Sequence, residues 1–131
     1  MLYLGTVVNV VDNTGILKAR CIKVYGNTKK LHANIGDYIL VVVLTYTLKR
    51  GLIVDDKKKS RFLKGNLHRA IVLRTKNNFM RIYGFFLRFS DNAVILVNKR
   101  KLPLSKRVKG PLTYEIVDKY PAIGILSSWV V

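Results

Sequence analysis

The side chains with usable chemistry in this sequence are cations, and they fall where a loop or a strand end would carry them: Lys29-Lys30, Lys49-Arg50, Arg74, Lys76, Arg81, Arg88, Lys99-Arg100-Lys101, Lys106-Arg107 and Lys109. Lysine and arginine at such points reach phosphate oxygens without breaking a core, and every phosphate they neutralise releases counterions. Composition agrees: 24 Lys and Arg stand against 7 Asp and Glu, a formal net charge of +17 on 131 residues. Half of the residues are apolar. That separates the chain from a disordered basic tail, which lacks the surface to offset chain entropy. A folded body this positive relieves its self-repulsion against a polyanion, and nucleic acid is the leading candidate.

Other chemistry is thin. His32 and His68 have no Cys or carboxylate partner at a metal-binding spacing, and Cys21 alternates within a strand as a small core residue. Asp55-Asp56 stand beside the Lys57-Lys58-Lys59 run and read as a solvated loop, while Asp12 and Asp91 sit beside asparagine as turn formers. The glycines form no phosphate-cradling run. The expectation is a protein without catalytic residues, metal or cofactor. Phe79, Tyr83, Phe85, Phe86 and Phe89 lie among Arg81 and Arg88. Core packing is expected for Phe85 or Phe86 and for Phe89, with Tyr83 exposed.

Strands must position these groups. Thr6 to Val11, the turn formers Asp12-Asn13-Thr14-Gly15, and Ile16 to Tyr25 spell a hairpin. In its second arm, Leu17, Ala19 and Cys21 alternate in one phase and Ile22 and Val24 in the other, which predicts a bulge near Cys21. Ile39 to Leu44 is continuously apolar, as in a strand covered on both faces or closing a barrel. Ala70 to Leu73, Phe85 to Phe89 and Ala93 to Val97 supply three more strands. A charged excursion occupies residues 52–65, and a short-helix region occupies 103–131, with Pro111 expected at a first helical position and Pro121 limiting helix length. The prediction is a mainly β chain forming one domain over 1–131, closed as a small barrel because closure removes exposed edges.

The segments Asn9-Val10-Val11-Asp12-Asn13-Thr14-Gly15, Cys21-Ile22-Lys23-Val24, Ile35-Gly36-Asp37, Arg50-Gly51, Ala70-Ile71-Val72-Leu73-Arg74-Thr75-Lys76, Arg88-Phe89-Ser90-Asp91-Asn92-Ala93 and Arg107-Val108-Lys109-Gly110-Pro111-Leu112 resemble, in order, the universal large-ribosomal-subunit protein number fourteen family. Ala70 to Leu73, Gly84, Phe89, Asn92 and Ile95-Leu96 fall into its signature, with Tyr83 where a small polar residue is usual. The resemblance implies a closed five-stranded β-barrel with a projecting β-ribbon and a short helical C-terminal region. It also implies binding to large-subunit rRNA, contact with small-subunit rRNA at an intersubunit bridge, contacts with neighbouring large-subunit ribosomal proteins, and a surface for ribosome silencing factor.

A free-standing single-stranded RNA-binding chaperone or translation factor is the alternative, and it would want a row of exposed aromatics on one sheet face, which the sequence does not spell. A membrane role lacks support: Tyr38 to Leu48 is too short and polar to span, and no basic amphipathic helix accompanies Lys57 to Lys59 or Trp129-Val130-Val131. The N-terminus shows no targeting pattern. With the aliphatic, Phe/Tyr-rich composition, this points to a ribosome in the mitochondrial matrix and an organelle gene, with plastid and bacterial cytoplasm as alternatives.

Overall fold

The computed structural model describes residues 2–26, 31–47 and 63–131. Lys29, Lys30, Lys49, Arg50, the Asp55-Asp56 pair, the Lys57 to Lys59 run and most of the 52–65 excursion lie outside the described residues. Among the described residues, nine strands and two helices follow in chain order: β1 (Leu2–Tyr3), β2 (Val7–Val10), β3 (Ile16–Val24), β4 (His32–Ala33), β5 (Tyr38–Tyr46), β6 (Leu67–Arg74), β7 (Phe79–Met80), β8 (Phe86–Leu87), β9 (Ala93–Val97), α1 (Tyr114–Lys119) and α2 (Pro121–Gly124).

Strands β2, β3, β5, β6 and β9 close into a barrel in that order. Neighbours pair antiparallel except at the seam, where β2 and β9 run parallel with Asn9 opposite Ala93 and Val10 opposite Val94. The remaining strands form two small ribbons, β1 with β4 and β7 with β8.

Two cores explain the apolar runs. Val8, Ile16, Ala19, Cys21, Ile39, Val41, Ala70, Val72, Val94 and Leu96 fill the barrel. On the outer face of β6 and β9, Ile71, Leu73, Ile95 and Val97 pack against Val108, Leu112, Ile116 and Ile123 from the C-terminal region. Alternate residues of β6 and β9 therefore enter different cores, which is why Ala70 to Leu73 and Ala93 to Val97 read as unbroken apolar runs. In β5, Ile39, Val41 and Val43 face inward and are buried, while Leu40, Val42 and Leu44 are half-buried.

The bulge expected near Cys21 is present: Cys21 pairs with Val41, Lys23 with Leu40, and the register slips by one between them. A second slip between Ile16 and Lys18 buries Ile16 and leaves Leu17 exposed, so Leu17 does not share the inward phase of Ala19 and Cys21. Pro111 does not begin a helix. It lies before the N-cap Thr113, and α1 starts at Tyr114. Pro121 ends the run as expected, with α1 stopping at Lys119 and α2 starting on the proline, whose missing N–H is harmless there.

Candidate nucleic-acid interface

The segment between β9 and α1 carries Lys99, Arg100, Lys101, Lys106, Arg107 and Lys109 with no acidic residue between Asn98 and Lys109, and all of these cations are exposed. The side chain of Asn98 shapes the first half: its Oδ1 accepts from Arg100 N at 2.9 Å and Leu102 N at 3.0 Å, and Lys101 N donates to Asn98 O at 3.0 Å. In the second half, Val108 bridges to Asp12 and Lys109 N donates to Val11 O at 2.8 Å, which sets Arg107 and Lys109 beside the β2–β3 turn. A cleft of about 390 Å³ opens there, lined by Asp12, Asn13, Arg107, Lys109 and Ser128 among others.

Lys76 lies at the base of the β7–β8 ribbon, its N–H held by Asn92 Oδ1 at 2.8 Å, and it shares a cleft of about 290 Å³ with Lys18, Asn9 and Asp91. Arg88 is exposed just after β8. These cations are exposed on the surface.

Arg74 and Arg81 are not. Arg74 is only 5% exposed. Its Nε and Nη2 clamp the Asp91 carboxylate at 3.1 and 3.0 Å, and its Nη1 donates to Lys109 O at 3.0 Å and Pro111 O at 3.1 Å. Four of the five guanidinium N–H groups are thus taken up inside the protein. Arg81 lies 2.9 Å from Glu115 Oε1 as an ion pair, donates from Nη2 to the main-chain oxygen of Val131 at 2.6 Å, and stacks 4.5 Å over the Tyr114 ring. It ties the ribbon to α1. Both arginines position basic segments and are set apart from the candidate contact surface.

Asp12 and Asp91 do more than form turns. Asp12 is buried, accepts from Thr14 N and Leu96 N at 3.1 Å each, and stitches the β2–β3 turn to β9. Burial pushes its carboxyl above the ordinary aspartate range, opposed by the bonds from Thr14 and Leu96. Nothing local in the sequence signals either long-range bond.

The aromatic expectation needs correction. Phe85 and Phe86 are 72% and 66% exposed, alongside Tyr83 at 80% and Ile82 at 96%. The ribbon of two short strands turns at Gly84, φ +82°, and neither ring reaches a core because, among the described residues, no layer packs over the ribbon. Phe89 is half-buried.

Sequence reasoning left out two groups. Lys18, Arg20 and Lys23 form an exposed basic row on the outer face of β3, and the alternation of Lys18 and Arg20 with Ala19 and Cys21 was the available signal. Tyr25, Tyr38 and Tyr120 gather with cations: Tyr25 and Tyr38 stack at 4.9 Å, Lys23 Nζ lies 5.1 Å from the Tyr25 ring, Lys101 Nζ 5.4 Å from Tyr38, and Lys119 Nζ 5.4 Å from Tyr120. Their separation in sequence gave no warning. Among the described residues, no cluster of three or more His, Cys, Asp or Glu is placed to hold a metal.

A closed five-stranded barrel with an exposed, carboxylate-free basic segment is the setting in which residues 1–131 match the family of ribosomal protein L14p/L23e, and the chain belongs to that family of large-ribosomal-subunit proteins.

Proposed function

We propose that this protein is a structural constituent of the large subunit that binds large-subunit rRNA through the 98–109 segment, with Lys76 and Arg88 extending the contact. The observation that carries the reading is the set Lys99, Arg100, Lys101, Lys106, Arg107 and Lys109, all exposed and with no carboxylate in the segment. Folded RNA is recognised largely through its backbone and shape, and an array of this kind meets that need. Lys29, Lys30, Lys49 and Arg50 join the proposed surface by sequence alone.

The same reading extends to the subunit interface, with small-subunit rRNA met at a bridge, a neighbouring large-subunit protein seated on the apolar β7–β8 tip, and ribosome silencing factor as a further partner. The Phe/Tyr-rich composition and positive mean hydropathy support a mitochondrial ribosome. A bacterial or nuclear gene for this chain would remove that assignment. The main test is retention: the protein should stay with isolated large subunits through a high-salt wash, because an embedded protein is held by more than screened charge. A protein that strips off with the salt, or that sediments only as a free species, contradicts the reading and favours the transient RNA-binding factor.

A further inference from the structure

A cleft of about 420 Å³ lies between Arg100, Lys101 and Leu102 on one side and Lys119, Tyr120 and Pro121 on the other. Every charged residue in its lining is a cation, whereas the clefts beside Arg107 and Lys76 each include an aspartate that is bonded within the protein. Asp37 of the adjoining loop is engaged through Oδ2 with Asn34 N at 2.8 Å, and Asp118, exposed beside Lys119 on α1, is not among the lining residues. The floor of the cleft is apolar and aromatic. Lys119 Nζ and Tyr120 Oη both donate to Gly36 O, at 3.2 and 3.1 Å, so the Tyr120 ring is fixed rather than free to swing. From Lys101 the surface continues to Tyr38, Tyr25 and Lys23, a row of rings closed at each end by a cation.

Backbone geometry adds an independent sign. Lys101 has φ +62° and is the one non-glycine residue with positive φ among those described. Glycine or asparagine takes that conformation with less strain, and a lysine held there by the Asn98 turn marks a position where the side chain matters more than backbone ease.

We propose that this cleft receives an unpaired RNA nucleotide, with its phosphates on Arg100, Lys101 and Lys119 and its base against the Tyr120 ring. Cations beside immobilised rings match a splayed nucleotide, whose π-face and phosphate are both accessible; a duplex hides its base faces in the stack. The inference rests on the rRNA reading and adds to it a site that prefers single strands.

The test uses the full chain and a fluorescent ten-nucleotide RNA, single-stranded or annealed to its complement, with affinity read by anisotropy. Tyr120→Leu should weaken the single strand about tenfold, Tyr120→Phe should stay within about twofold, and the duplex should change by less than about twofold in both. Lys101→Gly should raise the melting temperature while weakening the single strand, a combination that a purely structural residue does not give. Unchanged single-strand affinity in folded Tyr120→Leu, or equal losses for strand and duplex, overturns the cleft. So does an equal loss for an acidic decapeptide, which would assign the cleft to a protein partner. If the unsubstituted chain binds neither probe, the rRNA reading itself falls and the cleft with it, a result distinct from a lost preference for single strands.

Discussion

Replacing Arg74 by methionine removes a guanidinium that joins β6, the turn before β9 and the segment leading into α1. The Arg74 side chain is 6% exposed and Asp91 is 30% exposed, so the pair is largely shielded from salt. Its loss leaves a partly buried carboxylate and the carbonyls of Lys109 and Pro111 without their donor. Breaking a buried pair from one side costs about 3 to 5 kcal/mol, and the partial exposure of Asp91 puts Arg74→Met near the lower end. For a domain of this size that lowers the melting temperature by about 10 °C. Arg74→Lys keeps the charge but not the fork, and should still lose about 2 kcal/mol. Gly110 provides a sharper check. Its φ is +84°, and a Cβ there would stand 2.6 Å from Nη1, an atom pinned by two carbonyls and unable to move aside cheaply. Gly110→Ala should therefore be destabilising alone, and less so in the Arg74→Met background where the collision is gone. Chemical denaturation of both single variants and the double should show a coupling of about 0.5 to 3 kcal/mol. Additivity within about 0.5 kcal/mol, or an Arg74→Lys variant as stable as the wild type, would refute the idea that the fork holds this segment. RNA affinity should also fall in Arg74→Met with an unchanged salt slope, because the Arg74 guanidinium is engaged with Asp91, Lys109 and Pro111 inside the protein.

Other outcomes follow from the same geometry. Ala in place of Lys106, Arg107 and Lys109 should flatten the logarithmic salt dependence of rRNA binding by about 0.7 to 0.9 for each phosphate no longer neutralised, and an unchanged slope would remove these residues from the interface. Gly15→Ala should cost more than Gly84→Ala in thermal melts: both glycines have positive φ, worth about 1 to 2 kcal/mol to an L-residue, but only the Gly15 Cβ would press on Thr47 O, at 2.8 Å. Asp12 binds its proton more tightly folded than unfolded, so its contribution to stability is greatest in acid and declines as pH rises from about 4 through its raised pKa. The stability of the wild type relative to Asp12→Asn should shrink over that range, and a flat or growing difference would contradict the assignment. The double change Ile82→Asp and Phe85→Ser should leave stability within about 0.5 kcal/mol yet weaken retention on large subunits in gradient sedimentation; a large stability loss would mean that the tip is part of a core.

What the sequence made legible was what neighbouring residues encode. The opposed alternation of Cys21 and Ile22 located a bulge because a pleat has a strict period, and the unbroken run Ala93 to Val97 located a strand, which the structure covers on both faces. It did not say that the outer cover would be α1 and α2. Arg74 looked like a phosphate ligand because its partners, Asp91, Lys109 and Pro111, are far away in the chain and close only once β6 and β9 pair. Asp12 looked like a turn former because its bond to Leu96 N also depends on closure. Phe85 and Phe86 misled in the other direction: their hydrophobicity argued for burial, but among the described residues the two-stranded ribbon has no second layer to provide it. The clustering of Tyr25, Tyr38 and Tyr120 likewise arises only from tertiary proximity.

The parallel seam between β2 and β9 has a consequence for synthesis. β2 leaves the translating ribosome before β3, β5 and β6, and β9 follows all of them, so throughout their synthesis β2 carries an unsatisfied edge that no hairpin partner can cover. Joining segments this distant in the chain is slow and late, and the emerging polypeptide is vulnerable to strand-mediated aggregation until then. Release of a product truncated before residue 93 should therefore yield insoluble material, whereas truncation after 97 leaves every barrel strand present.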